Sequence, residues 1–361
     1  MGYDQRMVDA SRRRRPTLAA IAASAGTSAP TVSKALRNGT DVAPETRERI
    51  VRVATALGYW PRASASRPRD TQRRVIDLVV RNIEGTWVTA IIKGVSRAAE
   101  GLEIDVVVRQ PDPDRDWIGR IIARRSAGVI VASIDVSPGE RSRLRGAGIP
   151  VVALDPNQRP GSDLPSVGTM NWEGGRSAGE HLIGLGHRRF AVLDVGRSYL
   201  YSRARLDGFR SALADADVEL AAANVFHAGF DRSAARDYAR VFLSRPEPPT
   251  AIFACTEGLA FGAYDAANEL GIRIPADLSV VGFDDLPDAT LASPSMTTVK
   301  QPFTEIGAAA VRMLLRLNEQ PPGELVTQAP REELATSLIV RQSTAPAPAR
   351  AVADTVGSLN C

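Results

Sequence analysis

Apolar positions recur at helical spacing near the start of the chain. Leu18, Ile21, Ala22 and Ala25 fall at i, i+3, i+4 and i+7, one stripe of a short helix, and Gly26, able to take a positive φ, ends it. Ser28 is placed to cap a second helix in which Pro30 lies in the first turn, where its missing N–H costs nothing, and Val32, Ala35 and Leu36 face inward. A third helix runs from Pro44, with Ile50, Val53, Ala54 and Leu57 inward, and stops at Gly58. Two short helices joined by a glycine turn predict a helix-turn-helix. Three helices over residues 17–60 bury too little for more than a small headpiece.

After residue 74 the period changes. Short apolar, β-branched runs at 75–80, 104–108, 128–133, 151–154, 190–195, 225–228, 251–255 and 278–283 alternate with helical spacing at 88–99, 117–125, 173–185, 204–216, 232–243 and 259–270. Strands apolar on both faces and separated by helices imply parallel sheets covered on both sides. The series is too long for one compact sheet and divides near Ser166 to Asn171. The expected fold class is therefore α/β: two doubly wound parallel-sheet subdomains with a cleft at the carboxyl ends of their strands, preceded by the small all-α headpiece. The expected domains are a basic disordered arm (1–16), the headpiece (17–60), a hinge or linker rich in Pro, Ser, Ala and Arg (61–74), the two-subdomain core (75–343) and a Pro/Ala-rich disordered tail (344–361).

Charge sharpens this division. Residues 1–74 carry 15 Lys+Arg against 6 Asp+Glu, whereas residues 75–361 carry 30 against 35. The positive excess sits on the helix-turn-helix end, the footprint expected if that end meets a polyanion, although Arg12 to Arg15 alone read equally well as a solvated tail. No apolar run approaches the roughly 18 residues that span a bilayer, and the charged N-terminus lacks an apolar signal stretch, so a cytoplasmic protein without a membrane partner is expected. Cys255 and Cys361 are far apart and give no reason to pair.

An α/β chain invites an enzyme reading, and the motifs oppose it. There is no P-loop and no Gly-x-Ser-x-Gly elbow. Gly146-Ala-Gly148 lacks a third glycine and precedes a strand. His181, His187 and His227 have no Cys or His at metal spacing, so neither a metal nor another cofactor is expected; His187 reads as a cap of a helix-to-strand turn, Cys255 as a small buried hydrophobe. Asp284 and Asp285 end a strand, where an acidic side chain accepts ligand hydroxyls; without a partner base, binding is a stronger reading than acid–base work.

Several segments in order carry a resemblance: Thr17-Leu-Ala-Ala-Ile-Ala-Ala-Ser-Ala-Gly-Thr-Ser28, Thr31-Val-Ser-Lys34, Pro44-Glu-Thr-Arg-Glu-Arg-Ile50, Leu57-Gly-Tyr-Trp-Pro61, His181-Leu-Ile-Gly-Leu-Gly-His-Arg-Arg-Phe190, Ile274 to Asp285 and Leu338 to Thr344. From Thr17 to about Pro346 the chain is similar to the LacI/GalR family of bacterial transcriptional regulators. The resemblance implies a DNA-binding headpiece, a hinge, and a dimer-forming core like that of periplasmic sugar-binding proteins. A homodimeric, sequence-specific repressor is then expected, with a pseudo-palindromic double-stranded operator and a small-molecule effector, most simply a carbohydrate. A sugar-binding receptor without a DNA role is the alternative that the core alone would suit.

The family's base-reading positions carry Ala29, Pro30 and Lys34. Lys34 can donate to guanine, whereas Ala29 and Pro30 offer apolar contact only. Thr31 and Ser33 suit phosphate contacts, and Thr17, Ser28 and Asn38 are counted with them on the DNA face. The hinge departs from the family: Arg62 stands where an Asn is usual and Pro68 where a leucine usually wedges into the minor groove. A proline inside a short helix costs about 3 kcal/mol. Pro68 can still wedge, and Arg62, Arg67 and Arg69 can enter a narrow groove.

In the core, Arg205 and Asp284 match effector-binding positions and are expected to face each other across the cleft, a guanidinium fork and a carboxylate suited to vicinal hydroxyls. Trp87 follows the first strand, where a ring either stacks on a pyranose or packs against the rim; Trp172 is a second candidate. Thr256 and Glu257 replace the family's usual Asn-Asp, altering the hydroxyl pattern read there.

Overall fold

The computed structural model describes residues 17–36, 42–57, 74–112, 114–319 and 329–348. The chain divides into two compact units between Gln72 and Arg73, each taken by itself below.

The first unit holds three helices, α1 (Leu18–Ala25), α2 (Ala29–Leu36) and α3 (Pro44–Ala56). Thr17 caps α1 by accepting from the Ala20 N–H at 3.3 Å, and Gly26 ends it in the left-handed region at φ 61°. Ser28 caps α2, accepting from the Thr31 N–H at 3.3 Å. Ile21, Ala22, Ala25, Val32, Ala35, Ile50 and Ala54 form the core. Arg47 and Arg49 on α3 donate to the carbonyls of Ala35 and Ala25 at 3.0 and 3.2 Å, placing cations on the electronegative ends of α2 and α1. Leu57, expected inside, is 41% exposed: α3 ends before the stripe can carry it back over the core.

The second unit begins with β1 (Arg74–Val80), α4 (Thr86–Glu100), β2 (Ile104–Arg109), α5 (Trp117–Arg124), β3 (Gly128–Ala132), α6 (Pro138–Gly146), β4 (Val151–Leu154) and β5 (Ser166–Thr169). It continues through α7 (Asn171–Gly184), β6 (Phe190–Asp194), α8 (Leu200–Ala214), β7 (Val225–His227), α9 (Arg232–Leu243), β8 (Ala251–Ala254), α10 (Glu257–Glu269), β9 (Ser279–Asp284), α11 (Pro287–Leu291) and β10 (Thr297–Lys300). The last elements are α12 (Phe303–Glu319), β11 (Arg331–Leu334) and β12 (Ser337–Ile339).

These strands form two six-stranded sheets, ordered β11-β5-β4-β3-β1-β2 and β12-β10-β9-β8-β6-β7. Every pairing is parallel except β10 with β12. The central strands β3, β4, β6 and β8 are buried along their whole length, as continuous apolar runs between two helical layers must be. The division expected near Ser166 to Asn171 falls between β5 and α7. Beyond it the chain crosses between the lobes twice more: α12 returns to the first lobe's core, β11 pairs with β5, and β12 joins the second sheet. Those late strands are short and half-exposed, which is why no buried apolar run announced them.

The expected tail boundary is corrected. Residues 344–348 pack on the second lobe: the Ala347 N–H donates to the Leu185 carbonyl at 2.8 Å, and Thr344 meets His181 Nε2 at 3.0 Å. His187 caps the end of α7 through its backbone, the N–H donating to the Leu182 carbonyl at 3.1 Å after Gly186 at φ 85°, and its side chain does more. Its buried ring bridges Thr250 Oγ1 at 2.9 Å, Ser279 Oγ at 3.0 Å and the Ala345 carbonyl at 3.1 Å, and burial lowers its pKa.

Candidate functional site

A cavity of about 410 Å³ opens between the two lobes. Its position follows from topology. In each sheet the strand order reverses beside the first strand, at β1/β3 and at β6/β8, and the loops leaving the carboxyl ends diverge there. Arg81 and Asn82 follow β1, Ser133 follows β3, Asp155 follows β4, Thr256 follows β8, and Asp284 closes β9; all line the cavity. Aromatic side chains complete it: Trp87 at the start of α4, Tyr201 on α8, Phe230 before α9 and Phe303 opening α12. The Trp87 and Phe303 rings lie 6.5 Å apart, so Trp87 both packs on the rim and faces the cavity.

Arg205 is the best-anchored polar group in the cleft. It projects from α8, which meets α7 so closely that a Cβ on Gly175 would stand 1.9 Å from the Arg205 carbonyl oxygen, and one on Gly208 1.9 Å from that of Trp172. Arg205 Nε donates to Asn171 Oδ1 at 2.8 Å and Nη1 to the Cys255 carbonyl at 2.6 Å. Nη1 also reaches Asp284 Oδ1 at 3.4 Å, and the guanidinium carbon lies 3.7 Å from the Phe283 ring centroid. Its Nη2 has no protein partner among the described residues. Asp284 Oδ1 accepts a second hydrogen bond, from Gln301 Nε2 at 2.6 Å, and Asp284 itself takes φ 127°, a strained value for a residue with a Cβ.

Buried carboxyl groups crowd this end of the cleft. Burial pushes Asp155 and Asp284 up to about 6, against the pull of the Arg205 charge. Glu257 rises further, to about 8, through burial and then the Asp284 charge.

Of the six core residues singled out from sequence, Trp87, Arg205, Thr256 and Asp284 line the cavity; Trp172 and Glu257 do not. Trp172 lies on α7, 39% exposed, with the Arg176 guanidinium 5.7 Å above its ring. Glu257 is buried behind the wall, receiving the Leu286 N–H at 3.1 Å and the Thr298 hydroxyl at 3.0 Å; it shapes the turn after β9. Arg205 and Asp284 do not oppose each other across the cleft but sit on the same lobe, and the carboxylate from the first lobe is Asp155. Asp155, Tyr201, Phe230 and Gln301 were missed. A residue directly after a parallel strand was the available signal for Asp155, which follows β4, and equally for Gln301, which follows β10.

In the headpiece, Pro30 and Lys34 are exposed on α2, and Ala29, Thr31 and Ser33 are half-buried. The Ser28 and Thr31 hydroxyls bond each other at 2.8 Å, while the Thr17 hydroxyl accepts from the Ala20 N–H and retains its donor. Asn38, Arg62, Arg67, Pro68 and Arg69 lie outside the described residues.

Residues 17–62 match the family described as bacterial regulatory proteins, lacI family, and residues 180–344 a periplasmic binding protein-like domain. The chain is 31% identical over 341 residues to the transcriptional regulator CelR of Thermobifida fusca, covering 92% of this chain and 99% of CelR. A solved CelR–cellobiose complex superposes with a TM-score of 0.67 at 30% identity, covering 91% of this chain and all of that one. The transcriptional repressor PurR of Mannheimia succiniciproducens is 29% identical over 304 residues, 82% of this chain and 90% of PurR. The lac repressor dimer bound to operator and the anti-inducer ONPF superposes with a TM-score of 0.73 at 26% identity, covering 92% of this chain and all of that chain.

Proposed function

Because the chain belongs to the LacI family of DNA-binding transcriptional regulators, and is therefore a regulator and not an enzyme, we propose that it is a homodimeric repressor whose operator affinity is set by a neutral carbohydrate in the cleft. The observation that carries the effector reading is the composition of the cavity. Arg81 and Arg205 match Asp155 and Asp284 in number along the lining, so an uncharged ligand needs no further counter-charge, while the donors and acceptors beside Trp87, Tyr201 and Phe230 suit the hydroxyls and apolar faces of sugar rings. The cellobiose bound by CelR supports the same class. Repression is supported by the repressors among the relatives.

The headpiece meets DNA through α2. Lys34 reads a base edge, Ala29 and Pro30 make apolar contacts, and Thr17, Ser28, Thr31 and Ser33 hold phosphates. A dimer places two such helices on the half-sites of a pseudo-palindrome. Effector and DNA are coupled thermodynamically: a sugar that prefers one lobe arrangement shifts operator affinity, and the operator shifts sugar affinity by the same factor.

The test pairs two measurements on Asp284→Ala. Thermal-shift titration with cellobiose, ribose and other neutral mono- and disaccharides should show stabilisation of the wild type by at least one sugar and none of the variant, while operator binding persists. Stabilisation of both proteins alike would overturn the assignment of the cleft.

A further inference from the structure

Resting on that reading, we infer that Thr169, which does not itself line the cavity but holds Gln301 of its wall, is the positioning residue through which occupancy of Arg205 and Asp284 is passed to the crossovers joining the two lobes. The basis is a closed ring of hydrogen bonds, between side chains except for one to the Thr169 carbonyl. Gln301 Nε2 donates to Asp284 Oδ1 at 2.6 Å, and Gln301 Oε1 accepts from the Thr169 hydroxyl at 2.8 Å. Asn171 Nδ2 donates to the Thr169 carbonyl at 3.1 Å, and Asn171 Oδ1 accepts from Arg205 Nε at 2.8 Å. Arg205 Nη1 closes the ring on Asp284 Oδ1 at 3.4 Å.

The ring's members occupy the places where a change in lobe orientation must be absorbed. Thr169 ends β5 and Asn171 starts α7, flanking the first crossover; Gln301 lies in the second, between β10 and α12. The third is tied to the first, since the Met170 N–H donates to the Leu334 carbonyl at 2.9 Å and the Thr336 hydroxyl to the Met170 carbonyl at 3.3 Å. Thr169, Asn171, Arg205 and Gln301 are all at least nine-tenths buried, so none of these bonds can be exchanged cheaply for water.

Asp284 Oδ1 is the contested atom. It already accepts from Gln301 and from Arg205, and a ligand hydroxyl donating to the same oxygen must weaken one of them. If Gln301 yields, its amide turns against Thr169, whose hydroxyl holds the other end. The ring thereby converts a ligand contact into a displaced crossover, and Thr169 fixes which crossover moves.

Thr169→Val keeps the shape and removes the donor; Thr169→Ser restores it. On the full-length dimer, sugar affinity without DNA and operator affinity with and without saturating sugar are measured, using the sugars of the thermal-shift panel. For Thr169→Val the sugar Kd should stay within about threefold of wild type while the sugar-induced change in operator Kd shrinks roughly fivefold, the scale of one buried hydrogen bond. Thr169→Ser should recover it. An undiminished operator response in Thr169→Val, a parallel loss of sugar binding, or no recovery in Thr169→Ser would each overturn the inference. Should Thr169→Val not fold, Thr169→Cys, with its weaker donor, takes its place under the same criteria. A wild type that answers to no sugar would instead sink the effector reading on which the inference rests.

Discussion

The seam between α7 and α8 holds Arg205 in place, and Gly175 is the residue on which it depends. A Cβ there would lie 1.9 Å from the Arg205 carbonyl oxygen, whereas ordinary contact begins at 3.4 Å, so Gly175→Ala forces the two helices apart by about 1.5 Å. Because the obstacle is backbone, it cannot rotate away. Overpacking costs typically about 1–3 kcal/mol, and this site belongs at the upper end. For a domain of this size about 3 kcal/mol lowers the melting temperature by roughly 6–12 °C. The shift also drags the Arg205 backbone, so sugar affinity should fall with stability. Gly184, at the far end of the same helix, supplies the control: a Cβ there meets nothing within 4 Å, and Ala gains up to about 1 kcal/mol of helix propensity. Differential scanning calorimetry of the two variants checks the contrast. A Gly175→Ala protein melting with the wild type would refute the argument that backbone contact at this seam positions the arginine.

The carboxyl cluster makes stability depend on pH with a definite sign. Glu257 titrates from 4.5 up to about 8 in the fold, so between these values the folded state holds a proton that the unfolded chain has released, and stability falls as pH rises through that window. The slope reaches up to about 1.4 kcal/mol per unit, and Asp155 and Asp284, raised to about 6, add to it below that pH. Glu257→Gln, which mimics the protonated form, should flatten the decline in melting temperature between about pH 5 and about pH 8; parallel curves for variant and wild type would contradict this. Lys34→Ala should lower the ratio of operator to random-DNA affinity by about 1–3 kcal/mol, measured by competition binding, and an unchanged ratio would remove Lys34 from base reading. Raising salt should weaken operator binding with a log–log slope near 0.9 per phosphate contact; a flat response would contradict the DNA-facing role of the headpiece.

What could be read from sequence alone depended on periodicity. The headpiece stripe from Leu18 to Ala25 and the buried strands β3, β4, β6 and β8 repeat with strong apolar contrast, so their burial against neighbours was legible. Arg205 and Asp284 were found because their motifs recur across a family; both follow the division near 166–171 without an intervening crossover, so their shared lobe was legible and the expectation that they face each other across the cleft overlooked it. Trp172 illustrates the limit: an aromatic near a cleft in sequence can stand one helical face away, and here the cation above its ring is Arg176. Asp155 and Gln301 show the converse, since a polar residue acquires meaning only when strands distant in sequence bring it beside Arg205 or Asp284.

The central claim, a DNA-binding repressor governed by a cleft sugar, is tested most directly by fluorescence anisotropy of the full-length protein with a labelled operator selected from random duplexes. The affinity is measured with and without each sugar of the panel. At least one sugar should shift the operator Kd by about fivefold or more and leave binding to non-specific DNA unchanged. An operator Kd indifferent to every sugar would contradict the account.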